Sequence, residues 1–409
     1  MDTQRLQVDR MIWLDQARGI ALFGILLANM LLFQYGMWED LAFKPLASYD
    51  HWAYEWTRIF AVGSFMPLFA FLFGYGMVLM RDRLEQRGMV KYRRVFMRRF
   101  LLLAVFGYLH SYFIWDGDIL LSYGIVGIVL LFLFINRQPK TILIWAVSLF
   151  AVYVLMCFGS GGVEPDSELT AFNERTAEVM QGGSYWEIVS HRANDVVPLF
   201  DFDDSLPEWM AGGLSFLLLM VLAPFFTLPP FLIGLYAAKK KWLHQPRLHV
   251  KGIRRAFFTA LTIGAPLKAL PLVWSDPAVY MLSEGVGPLA LTCCYVTGIM
   301  LLTRSAWGQR VLKPFGAVGR LSLTNYLMQS IVMTSVFYGY GLGLYGKLGV
   351  LAGIGIAVLL FLCQMAASMW WIKRFRIGPF EWLWRLGTYL KPPAFIKRNM
   401  TAKGHSVAK

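Results

Sequence analysis

Charged residues are scarce in this chain of 409 residues: Asp, Glu, Lys and Arg make up 16% of it, whereas hydrophobic residues make up 57%. This composition excludes an ordinary set of soluble domains. Apolar runs of about 20 residues recur along the chain, the length that a helix needs to cross ~30 Å of hydrocarbon. Because backbone polar groups must be paired within the bilayer, the sequence predicts an all-α fold, a polytopic membrane helical bundle.

Cysteines are also few, and all four lie inside apolar runs, where thiols behave as small hydrophobes. Their placement argues against a disulfide framework and against a zinc site, and we expect no metal. The N-terminus is polar up to Arg10 and no small-residue cleavage pattern follows the first apolar run, so we expect no cleavable signal peptide. The cysteines are Cys157, Cys293, Cys294 and Cys363.

Two further features are missing. No internal repeat is clear, so the inverted repeats of many secondary transporters are not indicated. No nucleic-acid recognition motif surrounds the basic residues, although the formal net charge is +14. We therefore expect no nucleic-acid partner, and the basic residues fit the excess of Lys and Arg in the cytoplasmic loops of membrane proteins.

The apolar runs predict about ten transmembrane helices. The sixth run contains Pro224, Pro229 and Pro230, so we expect that helix to be kinked or broken, with a tilted, merely kinked helix as the alternative. The predicted spans are 12–36, 59–80, 96–115, 118–135, 141–158, 209–238, 255–274, 279–303, 318–340 and 348–372.

The distribution of charge predicts the orientation of the chain. Of its 39 Lys and Arg residues, 33 fall in alternate segments, the loop 304–320 among them, which all face the cytoplasm if the N-terminus does. The opposite face carries the acidic segment 159–208. Within it, Glu168–Met180 and Tyr185–Val197 have the apolar spacing of short helices over the outer mouth of the bundle, with a flexible loop as the alternative. Both termini are predicted to be cytoplasmic.

These patterns divide the chain into four parts: an N-terminal five-helix half over 1–158, an extracytoplasmic acidic segment over 159–208, a C-terminal five-helix half over 209–372 and a cytoplasmic aromatic and basic tail over 373–409. In the tail, Glu381 and Arg385 are four residues apart and can pair on a helix surface. The lipid bilayer is the expected partner. The oligomeric state is left open between a monomer and a homodimer.

The segment Arg94–Asp118, RVFMRRFLLLAVFGYLHSYFIWDGD, combines arginines, an apolar helix, a histidine and two aspartates in one predicted crossing. His110 lies near its far end, and an ionisable group at membrane depth is a candidate functional residue. Imidazole can accept and return protons near neutral pH. Asp116 or Asp118 could fix its tautomer, but Asp118 is eight residues away, so the WDGD turn would have to fold back. The alternative is a core histidine that donates to a backbone carbonyl.

The first predicted span contains further polar residues. Asp15 and Arg18 are three residues apart and can pair at the membrane boundary. Asn29 lies deeper, where an amide needs a partner. Gly19 and Gly24 would let a neighbouring helix approach closely, and we expect the same of the glycines in FLFGYG of the second span.

The ninth predicted span carries a polar stripe. Ser322, Asn325 and Gln329 are spaced i, i+3 and i+7 on an otherwise apolar helix. Such a stripe faces the bundle interior, because unpaired amides in hydrocarbon are costly. Bonding to a neighbouring helix and binding of a substrate both remain open.

Five motifs follow one another across nearly the whole chain: LDQARGIALFGILLAN, FLFGYG, RRFLLLAVFGYLHSYFIWDGDIL, GRLSLTNYLMQS and GPFEWLWRLGTY. Together they resemble the YeiB family of bacterial inner-membrane proteins, whose C-terminal region is a domain of unknown function. The resemblance implies a multi-pass protein of the bacterial cytoplasmic membrane. That family is grouped with transmembrane acyltransferases, such as heparan-α-glucosaminide N-acetyltransferase. These enzymes move an acyl group from a cytoplasmic donor, commonly acetyl-CoA, to an extracytoplasmic acceptor.

The resemblance also bears on which histidine is functional. In the acyltransferases the histidine usually lies in or just after the first span, where this chain offers His51. His110 matches the GYLHSYFIWDGD motif of the YeiB family instead. The sequence leaves both histidines open, and no acyl group or acceptor is indicated.

Acyl transfer is the first function that these residues could serve. Arg94, Arg98 and Arg99, with Arg18, would hold the phosphates of an acyl-CoA such as acetyl-CoA, because guanidinium matches phosphate geometry. His110 would deprotonate an acceptor, oriented by Asp116 or Asp118. Asn29, Ser322, Asn325 and Gln329 would bind the substrate. Ordinary charge on a cytoplasmic face is the alternative interpretation of the arginines.

Transport is the second function. His110 and the aspartates would then relay protons, coupled to movement of a small polar or amphipathic molecule. A cytoplasmic phosphate-binding pocket that continues to the histidine discriminates between the two, because only acyl transfer requires it. A non-catalytic scaffold or lipid-binding protein is a third interpretation.

Overall fold

Apolar runs bounded by turn residues fold into helices throughout the part of the chain that the structure describes. The computed structural model describes residues 11–37, 43–89, 91–159, 167–194, 227–243, 250–274 and 276–396. In these ranges the elements are helices, joined by turns and by one isolated bridge between Phe375 and Ile396. The all-α fold is confirmed.

Up to residue 194 the described helices are α1 (Ile12–Tyr35), α2 (Ser48–Phe60), α3 (Phe65–Gln86), α4 (Tyr92–Phe113), α5 (Leu120–Val129, continued by a π-helix over Leu130–Phe134), α6 (Pro139–Gly159), α7 (Ser167–Gly182) and α8 (Tyr185–Asn194). The second predicted span starts later than expected, because the separate helix α2 precedes it. The two short helices predicted in the acidic segment are confirmed as α7 and α8.

Beyond residue 226 the described helices are α9 (227–239), α10 (Val250–Ala269), α11 (Pro277–Leu302), α12 (Ala306–Arg320), α13 (Ser322–Phe337), α14 (Val350–Arg374) and α15 (Pro379–Tyr389). The predicted break in span 209–238 falls largely on residues 209–226, which lie outside the described residues. The ninth predicted span is shorter than expected. Its first residues belong to α12, a separate helix where the sequence had suggested a loop.

Several of these helices can cross a membrane. Five helical stretches in the described ranges are long and apolar enough, and α14 has the highest mean hydropathy of them, 2.4. Large apolar side chains also lie exposed on outer faces, such as Leu359 and Leu362 of α14. These observations indicate a multi-pass membrane protein in contact with lipid. The five stretches are Ile12–Tyr35, Ser48–Gln86, Pro139–Met156, Pro277–Leu302 and Val350–Arg374.

Helix α1 lies at the centre of the bundle and packs against α3, α12, α13 and α14. Its closest neighbour is α12, because glycines let the two backbones meet. A Cβ on Gly19 would overlap the Phe315 carbonyl oxygen, and one on Gly319 would overlap the Asp15 carbonyl oxygen. Gly24 accommodates the ring of Phe65. The predicted role of the first-span glycines is therefore confirmed. The division of the chain into two halves stays a prediction.

The FLFGYG motif packs in the same way. A Cβ on Gly74 of α3 would overlap the Phe231 carbonyl oxygen of α9, and a Cβ on Gly234 of α9 would overlap the Phe71 carbonyl oxygen of α3. The two helices therefore cross at reciprocal glycines, and close helix packing is confirmed for this motif.

The predicted surface pair of Glu381 and Arg385 is wrong. Glu381 is buried, and its carboxylate accepts from the backbone N–H groups of Leu323 (2.7 Å) and Thr324 (3.0 Å) at the start of α13. The N–H groups in the first turn of a helix have no partner within that helix, so they attract the Glu381 carboxylate more strongly than the solvated guanidinium of Arg385 does. Glu381 thus attaches α15 to the first turn of α13.

We predict that Gly319→Ala destabilises the protein, because the added methyl group must displace the backbone of α1. Overpacking of this kind costs about 1–3 kcal/mol. The midpoint of thermal unfolding in detergent should fall. Gly355→Ala is the matched control, since Gly355 lies in a helix with open space around it. Equal midpoints for the two variants would contradict the close crossing of α1 and α12.

Candidate functional site

The WDGD turn folds the chain back onto the end of α4. The backbone N–H groups of Ile114 and Trp115 both donate to the His110 carbonyl oxygen, at 2.9 Å each. The indole of Trp115 is buried, with its ring centroid 4.2 Å from that of Phe33 on α1. Gly117 leaves room for this indole, which a Cβ would overlap. The buried tryptophan therefore fixes the turn.

This turn brings Asp118 to His110. The distance from His110 Nδ1 to Asp118 Oδ1 is 2.8 Å, and the two side chains are only 1% and 2% exposed. The second carboxylate oxygen, Oδ2, accepts from the Leu121 N–H at 2.8 Å and caps the start of α5. Gly107 makes room for this contact, since a Cβ would lie 2.6 Å from Oδ2. Asp116, the other candidate, is exposed and is not the partner of His110 in the structure.

The bond determines the tautomer of His110. A carboxylate only accepts hydrogen bonds, so Nδ1 carries the proton and Nε2 of the neutral ring has a free lone pair. Nε2 is buried and has no hydrogen-bond partner in the described part of the chain. The Tyr326 ring lies beside the imidazole, 5.3 Å between centroids, and its hydroxyl accepts from the Ile119 N–H at 3.2 Å. The site therefore holds an oriented proton acceptor next to a tyrosine.

A cavity of about 790 Å³ lies between α1, α3, α4, α5, α13 and α15. We call it the arginine cavity. Guanidinium groups line one end, apolar side chains line the middle, and Ile119, Tyr123 and Tyr326 line the other end, next to Asp118. Exposed residues among the arginines indicate that the cavity opens at that end. The lining arginines are Arg18, Arg83, Arg87, Arg99 and Arg385.

The arginine cavity and His110 meet at Tyr326, which lines the first and contacts the second. Arg99 and His110 belong to the same helix, α4, and are 11 residues apart. At 1.5 Å per residue, the two lie roughly 16 Å apart along the helix axis. A basic opening is thus connected, over about half the thickness of a membrane, to a buried base.

Arg99 is held in a particular orientation. Its guanidinium carbon lies 3.6 Å from the centroid of the Trp384 ring, and the Trp384 indole N–H donates to the Arg99 carbonyl oxygen at 2.8 Å. Stacking uses the flat face of a guanidinium, whereas its N–H groups point outward in the plane. The stack therefore leaves those N–H groups available for an anion in the cavity.

The structure separates the predicted arginines into two groups. Arg18 and Arg99 line the cavity, and Arg18 also pairs with Asp15 at 3.5 Å, as expected. Arg94 and Arg98 are exposed on other faces of α4 and do not line it. Sequence reasoning missed three lining arginines. Their spacing gave no signal, because they come from α3, from the residue just beyond it and from α15, and meet only in the fold. The missed residues are Arg83, Arg87 and Arg385.

The polar stripe of α13 bonds mainly to α14. Asn325 Nδ2 donates to Ser368 Oγ at 3.0 Å, and Gln329 Nε2 donates to Gln364 Oε1 at 2.9 Å. Gln364 Nε2 in turn donates to the Asn325 carbonyl oxygen at 2.9 Å. Within the stripe, Ser322 lines the arginine cavity, whereas Asn325 and Gln329 do not.

Two other candidates lie away from the cavity. Asn29 is buried in α1 without lining it, and His51 is exposed on α2.

A buried charge pair was also missed: Lys268 Nζ donates to both carboxylate oxygens of Glu284, at 2.7 and 2.8 Å. A lysine and a glutamate within apolar runs were the signal for it. Because Glu284 also reaches Arg58 at 3.6 Å, this pair attaches α10 and α11 to α2.

We predict that Asp118→Asn lowers stability by about 1–3 kcal/mol, the cost of leaving a buried donor unpaired. The amide oxygen can accept from His110 or from Leu121, but the amide N–H₂ must then face the other donor. Asp116→Asn is the matched control, since Asp116 is exposed. Thermal unfolding in detergent compares the two variants. A midpoint for Asp118→Asn as high as for Asp116→Asn would show that the bond is not structural.

Comparison with known proteins finds similarity over nearly the whole chain. The chain is 38% identical to the uncharacterized protein YxaH of Bacillus subtilis over 398 residues, which cover 94% of this chain and 96% of YxaH. It is 28% identical to the uncharacterized protein YeiB of Escherichia coli over 406 residues, covering 92% and 96% of the two chains. A family described as a protein of unknown function, DUF418, matches residues 237–391.

Proposed function

The chain belongs to the family of YeiB and YxaH, and we propose that it is a transmembrane acyltransferase. It would move an acyl group from a cytoplasmic donor such as acetyl-CoA to an extracytoplasmic acceptor. One observation carries this proposal. The arginine cavity extends from five guanidinium groups to Tyr326, which contacts a histidine whose Nε2 can accept a proton.

Different parts of the cavity would bind different parts of the donor. Phosphate groups of an acyl-CoA would bind at the arginine end, where Arg99 presents its in-plane N–H groups. The apolar middle, with Phe73, Phe100 and Leu103, would take the acyl-bearing arm. The thioester would then lie near Tyr326, at the end next to His110. Only a donor with both an anionic and an apolar part uses the whole cavity.

The histidine supplies the base. His110 Nε2 would take the proton from an acceptor hydroxyl or amine as its oxygen or nitrogen attacks the thioester carbonyl carbon. The carbon–sulfur bond breaks, and the imidazolium returns the proton to the departing thiolate. The Asp118 carboxylate, held by the Leu121 N–H, keeps the imidazole in orientation and stabilises its charged form.

The finer topology belongs to the same proposal. With about ten spans, both termini and the arginine end of the cavity would lie in the cytoplasm of a bacterium, because the charge distribution predicts that most basic residues face that side. The donor would then enter from the side where acyl-CoA is made. His110 would face the acceptor on the other side of the inner membrane.

We predict that CoA binds to the protein and that Arg99→Ala raises the dissociation constant about tenfold or more. A hydrogen bond to a charged group is worth about 1.5–3 kcal/mol, and 1.4 kcal/mol is a factor of ten. Titration of labelled CoA into membrane vesicles measures the dissociation constant. Inside-out vesicles should bind CoA, whereas right-side-out vesicles should not.

Arg98→Ala is the matched control for Arg99→Ala, because Arg98 is a neighbouring arginine outside the cavity. Its dissociation constant for CoA should equal that of the unaltered protein. A loss as large as that of Arg99→Ala would point to surface charge alone. Absence of CoA binding in both detergent and lipid would remove acyl transfer and favour the alternative, proton-linked transport of a small polar or amphipathic molecule.

We further predict that His110→Gln keeps CoA binding but lowers acetyl transfer by a factor of about 10²–10⁴, the usual contribution of a general base. Transfer of radiolabel from acetyl-CoA to the membrane fraction measures the rate of acetyl transfer. His51→Gln is the control and should remain active, since His51 is exposed on α2. Activity in the His110 variant would assign this histidine a structural role.

A further inference from the structure

Helices α7 and α8 lie over the end of the bundle at which His110 is found. The Gly339 N–H, just beyond α13, donates to the Met180 carbonyl oxygen of α7 at 2.8 Å. The Tyr185 hydroxyl of α8 donates to the Phe113 carbonyl oxygen at the end of α4, also at 2.8 Å. The two short helices are thus attached to the mouth opposite the arginine end of the cavity.

Arg192 of α8 forms no ion pair there with any residue that the structure describes. Arg192 Nε donates to the Ile188 carbonyl oxygen at 3.4 Å. Its terminal nitrogens, Nη1 and Nη2, are buried and make no hydrogen bond to any residue that the structure describes. A guanidinium stays charged at all accessible pH values, and a buried charge without a partner is costly. The buried Arg192 guanidinium therefore needs an anion as its partner, and the described ranges of the chain do not provide one.

Tyr338 and Tyr340 lie near this guanidinium. The ring centroid of Tyr338 lies 6.2 Å from that of Tyr340 and 6.1 Å from that of Tyr345. Burial raises the pKa of the Tyr340 hydroxyl, and the nearby Arg192 guanidinium opposes the rise. Burial also raises the pKa of Tyr345, and the carboxylate of Asp116 adds to it. Arg192 and Asp116 therefore both lie near one tyrosine cluster.

Two observations point to a ligand at this cluster. The Tyr345 hydroxyl, like the Arg192 nitrogens, is buried without a hydrogen-bond partner in the described part of the chain. Asp116 is a carboxylate that acts on Tyr338 and Tyr345, yet it makes no ion pair with Arg192 within 4 Å in that part. His191, the neighbour of Arg192, bonds to Thr176 Oγ1 at 2.9 Å instead. The guanidinium is thus held in place but not neutralised.

We infer that Arg192 binds an anionic group, a carboxylate or a phosphate, and that this group belongs to the acceptor. Two adjacent guanidinium nitrogens match the spacing of two oxygens on either group. The assignment to the acceptor rests on the proposed acyl transfer, whereas the anion site itself does not. An acceptor anchored here would lie at the same mouth as His110.

Hydrogen exchange of the full-length protein in lipid nanodiscs tests the anion site. Inorganic phosphate or acetate, compared with chloride at equal ionic strength, should slow exchange of the α8 amides in a saturable way. The response to one anion and not the other tells a phosphate from a carboxylate. Because the readout is local to Tyr185–Asn194, anions that bind in the arginine cavity do not contribute to it.

The variants make the test specific. Arg192→Gln should abolish the slowing, and Arg192→Lys should keep it with a dissociation constant raised about tenfold. Arg175→Gln is the matched control, an exposed arginine on the adjacent helix, and should behave as the unaltered protein. No anion-dependent slowing, or equal slowing in Arg192→Gln, would overturn the inference. CoA binding measured on the same Arg192→Gln protein should persist, so failure of this site and failure of the donor site are distinguishable.

Discussion

Water cannot solvate an imidazole that is buried among apolar helices, so His110 depends on the carboxylate beside it. Asp118 meets this need and is itself held by the Leu121 N–H at the start of α5. The pair is possible because Gly107 and Gly117 leave the necessary room and the Trp115 indole fixes the turn. Removing the carboxylate would leave the His110 ring N–H and the Leu121 N–H unpaired, and an unpaired buried polar group is costly in a membrane interior.

The same constraint explains how the helices are joined. Several buried polar side chains pair across helices: the amides of α13 with Gln364 and Ser368 of α14, and Lys268 of α10 with Glu284 of α11. Where side chains are absent, backbones meet, as at Gly319 on α12. The bundle thus combines small residues for close approach with a few fully bonded polar groups for register.

Among the buried polar groups that have no hydrogen-bond partner in the described part of the chain, two bear on the proposed function: His110 Nε2 and the terminal nitrogens of Arg192. His110 lies beside Tyr326, which lines the inner end of the arginine cavity, and Arg192 belongs to α8, which is attached to the same end of the bundle. Under the proposed function, His110 and Arg192 at one end and the arginines at the other would serve two ligands that approach from opposite sides. Trp384 contributes by stacking on the flat face of the Arg99 guanidinium, which leaves the in-plane N–H groups available.

The sequence by itself determined the class of the protein and most of its helices, because apolar length and charge distribution report directly on the cost of burial in lipid. It also identified His110 as a candidate functional residue with two aspartates as possible partners, and it predicted the two short helices of the acidic segment. Only the tertiary structure decided that Asp118, and not Asp116, bonds to His110, and that Arg99, and not Arg98, lines the arginine cavity. It also decided that Glu381 bonds to Thr324 and does not pair with Arg385. The helical period tells which residues share a face, but not which neighbouring helix that face will meet. Contacts between residues far apart in the chain therefore remained undecided until the helices were packed.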